Sequence, residues 1–469
     1  MIWIFPKRKD NAADAHCGID RDPLAEYTMM YIYTKGAPAM IQKSMAISPE
    51  GKLRFGGADV EALARKYGTP LYILDEGRLV ENMRAFVRGA EAAFGRDTLV
   101  TYASKAMCFK ALYPILEREG LGADVVSGGE LYTARQAGFP MNRVYFHGTY
   151  KEDWEIDMAL QAGVHSLIAD GEYDLENIAR RGRVAGILAP VMLRITPGID
   201  PHTFAAVNTG MECQFGRPLE TGQAMEFVKT ALKQPGVRVL GLHCHIGSQI
   251  FEEGPFVLAA EKMLNFCRQI LDETGWFPEY LALGGGFGVR YRESDPEISV
   301  EHMLRGLGET VRRLCREKGV PQPKIILEPG RSIVADAGMT LYTAGAVKQI
   351  AGGRNYVIVN GGMTDNPRYA LYKAPYTVYN ASRMTGEDLE TYTVAGRCCE
   401  SGALIQENVR LPRVQGGDFI AVACTGAYNY AMASNYNRVP RLPVVLVKDG
   451  ADRLAVRRET LEDLLKCDI

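Results

Sequence analysis

The sequence has little of what a membrane, secreted or nucleic-acid-coating protein needs. No window approaches 18 uncharged apolar residues, so no membrane-spanning helix is expected. Lysine and arginine number 54 against 56 aspartates and glutamates, a net charge of −2, so there is no basic surplus with which to coat nucleic acid. The ten cysteines are scattered, without a CxxC pair or a Cys/His spacing that suggests zinc. The opening MIWIFPKRKD has a very short apolar run followed by its basic residues, the reverse of a secretory signal. A reducing, cytoplasmic compartment is therefore expected. Only seven histidines are present, which restricts any histidine-based metal site.

Glycine is abundant instead, 49 of 469 residues, and many glycines follow apolar runs, where a chain turns tightly or approaches a ligand. The length suits roughly two to three domains. Residues 1–44 show weak periodicity and read as a mobile tail. Asp59 is placed to cap a helix, VEALARKY, that Gly68 stops.

From about residue 98 to 330, short β-branched runs alternate with amphipathic helical stretches. The runs are LVTYAS, ADVVS, RVYFHG, SLIAD, VMLRIT, VLGLHCHIGS, YLALGGG and KIILEPG, eight in all. Eight strand–helix repeats predict an α/β fold with a closed parallel (β/α)8 barrel; an open doubly wound sheet is the rival arrangement. After about residue 335 the helical period fades. Runs such as YVIVNGG, ETYTVAG and DFIAVACTGAY point to a C-terminal all-β domain of sandwich or barrel type.

In such a barrel the chemistry gathers where strands end at their carboxyl side. Read there, the runs lead to Lys105, Ser127-Gly128-Gly129, His147-Gly148, Asp170, His245 to Ser248, Gly284 to Gly286 and Glu328-Pro329-Gly330-Arg331, with Arg194 inside the fifth. A lysine at a barrel mouth is either a nucleophile for a carbonyl compound or a solvated strand-end residue. Three consecutive glycines offer unobstructed amides to a phosphate, or make only a tight turn; Ser248 and Arg331 add a hydroxyl and a cation. Glu328 suits either a protonated ring nitrogen or a salt bridge. His243 and His245 lie two apart on a strand and share a face. They are a candidate metal pair for a hydrolase, but a flat imidazole stacked on an aromatic cofactor is the preferred role for His245, and no metal is expected. In Cys398-Cys399-Glu400-Ser401-Gly402, a thiol beside a carboxylate is suited to acid–base work, or is simply a buried thiol.

These residues fall within a series of strings: YGTPLYILD, YASKA, DVVSGGEL, FHG, HIGSQ, GGGFG, EPGR, RYALY, CCESG and GAYNYAMASNYN. In their order and spacing, from about Gly57 to Pro443, the chain resembles the fold-type III pyridoxal-phosphate decarboxylases. The resemblance implies an alanine-racemase-like barrel at residues 76–332, a β domain at 333–469, and a segment 45–75 that joins the β domain. It implies pyridoxal 5'-phosphate as cofactor and a homodimer with shared active sites.

By motif, Lys105 would hold the cofactor covalently and His245 would stack on its ring. Ser248, Gly284, Gly285, Gly286 and Tyr428 would surround the phosphate. Glu328 would pair with the ring nitrogen, with Pro329 and Gly330 beside it and Arg331 near phosphate and substrate. Cys399, from the partner subunit, would be the proton donor. Arg331, Arg368, Tyr372, Glu400 and Tyr428 match the family's substrate motifs. A cation for a far carboxylate and an anion for a far ammonium suit meso-2,6-diaminopimelate, decarboxylated to L-lysine. A decarboxylase of lysine or ornithine would face only a far ammonium and have little use for Arg368. Gln214, Asn360 and Ala403 depart from the family's usual residues, which leaves another diamino acid open.

Overall fold

A computed structural model describes residues 38–200 and 213–469. The expected tail lies outside the described residues up to position 37. Its remainder, 38–44, is packed rather than loose: Gln42 is buried, and its side-chain amide donates to the carbonyls of Asp336 and Gly338 at 2.7 and 2.9 Å.

All eight expected runs form strands: Leu99–Ala103, Gly122–Val125, Val144–Phe146, Ser166–Ala169, Ala189–Thr196, Val237–His243, Tyr280–Ala282 and Lys324–Leu327. Each pairs in parallel with the next, and the eighth returns to the first through Ile326 and Leu99, so the sheet closes into a barrel and the open-sheet alternative falls. The helices are not eight simple followers. Only the four-residue Arg331–Val334 follows the eighth strand. The helix Glu76–Phe94, which precedes the first strand, packs on the first and eighth strands and on helix Val300–Lys318 instead. Asp75 makes that switch. It ends the strand Leu71–Asp75, and its carboxylate accepts from the amides of Gly77 and Arg78, an N-cap worth about 1 kcal/mol.

Inside the barrel, Tyr145, Ile168, Met192, Leu240, Ala282 and Ile326, from six successive strands, form a small core of their own. Alternation then dictates what faces inward nearer the carboxyl ends. Two residues on from Tyr145 stands His147, from Met192 Arg194, and from Ile326 Glu328. A register shift between Val239 and Gly241 changes the phase of the sixth strand, and His243 rather than Leu242 faces the interior.

The second body is a nine-stranded, largely antiparallel sheet. Its spine is Gly338–Gln349, which pairs with Phe419–Ala423, Asn355–Val359 and Leu71–Asp75. Leu71–Asp75 in turn pairs in parallel with Val444–Lys448. The chain thus enters this sheet before it builds the barrel and returns to it afterwards. Residues 45–59 add a separate three-stranded sheet, and Leu53 donates to the carbonyl of Ala381 in the β region. The helix at Val60–Tyr67 has Asp59 as its cap and ends at Gly68.

Candidate active site

A cavity of about 540 Å³ opens at the carboxyl ends of the barrel strands and is completed by the β region. Lys105 enters it from a one-turn helix, Ser104–Ala106, directly after the first strand. The end of the eighth strand lies against that turn. The carbonyl of Pro329 accepts from Ala103, and a Cβ on Gly330 would meet the Ala103 Cβ at 2.9 Å. Lys105 and Glu328 therefore share one cavity, which is what a covalent cofactor with a charged ring nitrogen requires.

Glu328 is buried among imidazoles. Its Oε2 lies 2.9 Å from Nε2 of His243, and its Oε1 lies 3.4 Å from Nε2 of His147, which is also 3.5 Å from Oδ1 of Asp124. Burial alone would raise the Glu328 pKa, but the two imidazoles outweigh it and hold the carboxyl well below its usual range. Burial pushes His243 down to about 4, so at neutral pH it is an uncharged donor to an ionised Glu328. Burial, with Glu328 adding to it and His147 opposing, raises Asp124.

His245 lies past the end of the sixth strand. Its Nδ1 accepts from the amide of Gly285 at 3.3 Å, which places the ring proton on Nε2. Burial first, then the cations Lys105 and Arg194, lower its pKa well below the usual value and keep the ring neutral. Backbone crowding also requires the glycine run. A Cβ on Gly285 would sit 2.1 Å from the carbonyl of Glu328, and one on Gly286 2.4 Å from that of Gly247. Close approach of neighbouring strand ends thus demands glycine at both positions. Of the three, Gly286 lines the cavity; Gly284, Gly285 and Pro329 lie behind the wall.

At the other end of the cavity Arg331 donates to Ser248 from Nε and Nη2 at 3.2 and 2.9 Å, with its guanidinium 4.7 Å above the Tyr428 ring. Tyr428 comes from the β region, has a left-handed φ of 60°, and donates its amide to the carbonyl of Ala106. That bond ties the β region to the turn bearing Lys105. Arg368 and Tyr372 reach the cavity from the short helix Arg368–Tyr372. Arg368 is 4 % exposed and donates to the Tyr376 hydroxyl at 2.9 Å. No carboxylate among the described residues forms an ion pair with it. Cys399 and Glu400 are exposed in the turn between strands Leu389–Ala395 and Leu404–Pro412, and neither lines the cavity of its own chain.

A family model for the pyridoxal-dependent decarboxylases, pyridoxal binding domain, matches residues 79–335, the whole barrel and its rim. The chain belongs to that family. Among its relatives, the diaminopimelate decarboxylase of Bacillus subtilis is 44 % identical over 420 residues, 89 % of this chain and 95 % of that one. That of Halalkalibacterium halodurans is 44 % identical over 424 residues, 90 % and 96 % of the two chains. The crystal structure of diaminopimelate decarboxylase from M. jannaschii in complex with L-lysine superposes with a TM-score of 0.86 at 33 % identity, covering 92 % of this chain and 99 % of that one.

The cavity fits the family's cofactor. Oδ1 of Asp124, Nε2 of His147 and Nδ1 of His243 are buried there without a hydrogen-bond partner, a polar lining that a ligand's ring edge would satisfy. Asp124 and Glu328 line the same cavity as Arg331, Ser248 and Tyr428, so it offers acids for a ring nitrogen and a cation with hydroxyls for a phosphate. Of the candidate HxH pair only His243 joins a group of possible ligand atoms: donor atoms of His147, His243 and Glu328 lie within 4.8 Å of one another, and His245 is not among them. Sequence reading had noted His147 and Arg194 without giving them roles, and it passed over Asp124 and Phe215. The signal available for His147 and Arg194 was the period of two back from each strand end.

Proposed function

We propose that the protein decarboxylates meso-2,6-diaminopimelate to L-lysine, with pyridoxal 5'-phosphate bound at Lys105. The observation that carries the substrate is Arg368: a buried guanidinium on the cavity wall with no ion-pairing carboxylate among the described residues. A buried cation is costly unless an anion joins it, and a carboxylate at the far end of the substrate is that anion. The relatives' names point the same way. An amine-ended substrate such as lysine or ornithine leaves Arg368 uncompensated.

When bound, pyridoxal phosphate supplies an aldehyde for the substrate amine and an aromatic ring into which the electrons left by carbon dioxide spread. Lys105 presents its amine in the cavity, where it would hold the cofactor. Glu328, kept ionised by donation from His243, would hold a proton at the ring nitrogen. The neutral His245 ring would lie beside the cofactor ring, and Ser248, Gly286, Tyr428 and Arg331 would hold its phosphate. Arg368 and Tyr372 fix the far carboxylate, so that the reacting end is placed by binding energy gained remotely.

The proton donor to the α-carbon is Cys399 of the partner subunit, with Glu400 of the partner subunit facing the far ammonium. Support for this homodimer comes from the exposure of that turn and its absence from its own cavity, which has no thiol on its wall. A thiol acid also suits a reducing cytoplasm. The test is release of carbon dioxide and L-lysine from meso-diaminopimelate by cofactor-loaded protein; no product would overturn the proposal.

A further inference from the structure

Arg331 and Arg368 come from different bodies of the molecule, yet both rest on one side chain. The hydroxyl of Tyr291 accepts from Nη1 of Arg331 at 2.9 Å. The ring of the same tyrosine carries the guanidinium of Arg368, 5.0 Å from its centroid. Tyr291 is 3 % exposed and does not line the cavity, so it reaches a ligand only through the two arginines.

Tyr291 is itself held from several sides. Its amide donates to Asp295 at 3.0 Å, its carbonyl accepts from the Thr377 hydroxyl at 2.8 Å, and Tyr376 meets its ring edge-on at 5.7 Å. The last two contacts come from the β region, whereas Tyr291 follows the seventh barrel strand. A long arginine side chain loses rotamer freedom when fixed, and a ring face beneath a desolvated guanidinium offsets that loss.

We propose that Tyr291 is a positioning residue that sets the spacing of the two arginines, through its hydroxyl for Arg331 and its ring face for Arg368. In that role it shapes both cofactor affinity and selection for a far carboxylate. The second half rests on the function proposed above; the first does not.

Two variants separate these contributions. Tyr291→Phe keeps the ring and its packing but loses the hydroxyl. The dissociation constant for pyridoxal phosphate, read by absorbance titration of apoenzyme, should rise about fivefold, the loss of one hydrogen bond to a charged group. Its KM for meso-diaminopimelate should stay within about twofold of wild type, because the ring face remains. Tyr291→Met fills much of the volume without a ring face. Its KM should rise about tenfold while kcat stays within about threefold, since binding rather than chemistry is disturbed.

An unchanged cofactor constant in Tyr291→Phe overturns the hydroxyl's role. An unchanged KM in Tyr291→Met, or a fall confined to kcat, overturns the ring's. If Tyr291→Met fails to fold, a rise in KM in Tyr291→Phe as large as its cofactor loss would still refute the division of labour. If wild-type protein makes no lysine, the proposed function fails, and the cofactor titration of Tyr291→Phe decides the first half unaided.

Discussion

Replacing Arg368 with methionine should damage binding and spare the fold. Among the described residues this arginine forms no ion pair; it has one hydrogen bond, to Tyr376, and two ring faces, Tyr291 and Tyr376, 5.0 and 5.5 Å away. Losing the hydrogen bond costs about 1 kcal/mol, and removing a desolvated charge returns a similar amount, so stability should change by less than about 1 kcal/mol. A charge-assisted carboxylate contact is worth about 2 kcal/mol, or roughly thirtyfold in affinity. The assay exploits the product's chemistry. L-lysine retains the far carboxylate and cadaverine does not, so Arg368→Met should raise the inhibition constant of L-lysine roughly thirtyfold and that of cadaverine less than about threefold. Equal weakening of both inhibitors, or a fold that collapses with the arginine, would refute the reasoning.

Lys105→Ala should abolish the visible absorbance of bound cofactor that sodium borohydride otherwise traps on the protein; retained trapping would reassign the nucleophile. Mixing Lys105→Ala with Cys399→Ala subunits, each nearly inactive alone, should restore about a quarter of wild-type activity, because half the random dimers carry one intact shared site; no recovery would refute the sharing of sites between subunits. Acid should destabilise the fold between about pH 6.5 and 4. His243 and His165 are both pushed by burial to about 4, so the unfolded chain takes up their protons first as pH falls. Their contribution is therefore complete above the unfolded value and is lost as pH drops towards the folded one. His165→Phe, which keeps the stack on Tyr145, should flatten that slope in chemical denaturation measured across this range; an unchanged slope would show that His165 does not titrate there.

The barrel was legible because each of its strands is a short, mostly apolar run followed by glycine or a polar residue, a pattern that both-face burial produces. The β region was less so. Its spine, Gly338–Gln349, mixes threonine, glycine and lysine, and it gains its stability from partners as distant in sequence as Leu71–Asp75. Lys105, Glu328 and Arg331 were found because strand ends are where such a barrel keeps its chemistry. The glycine run was found as a possible phosphate cradle or turn, whereas the backbone crowding that also requires glycine there is invisible in sequence. None of the three departures from the family pattern lines the cavity, although Gln214 adjoins Phe215, which does. Asn360, for example, bonds Thr69 and the amide of Thr343, tying the start of strand Leu71–Asp75 to its neighbours. The substrate reading does not depend on them.

Four cations, Lys105, Arg194, Arg331 and Arg368, face two acids, Asp124 and Glu328, across this cavity. Such an excess is costly in a partly desolvated space unless incoming anions balance it. On the proposed reading each cation has a fixed destination. Lys105 belongs to the cofactor's aldehyde, and Arg331, pinned by Ser248 and Tyr291, belongs to its phosphate. Arg194 stands 3.6 Å from Asp170 with its face on Phe215, and Arg368 belongs to the far carboxylate. No arginine is then left for the carboxylate that departs. A cation there would bind the substrate more tightly than the transition state, in which that charge is dispersing, and would slow the loss of carbon dioxide. The distribution of arginines thus does two things at once: it holds the end of the substrate that must stay and leaves unpaired the group that must go.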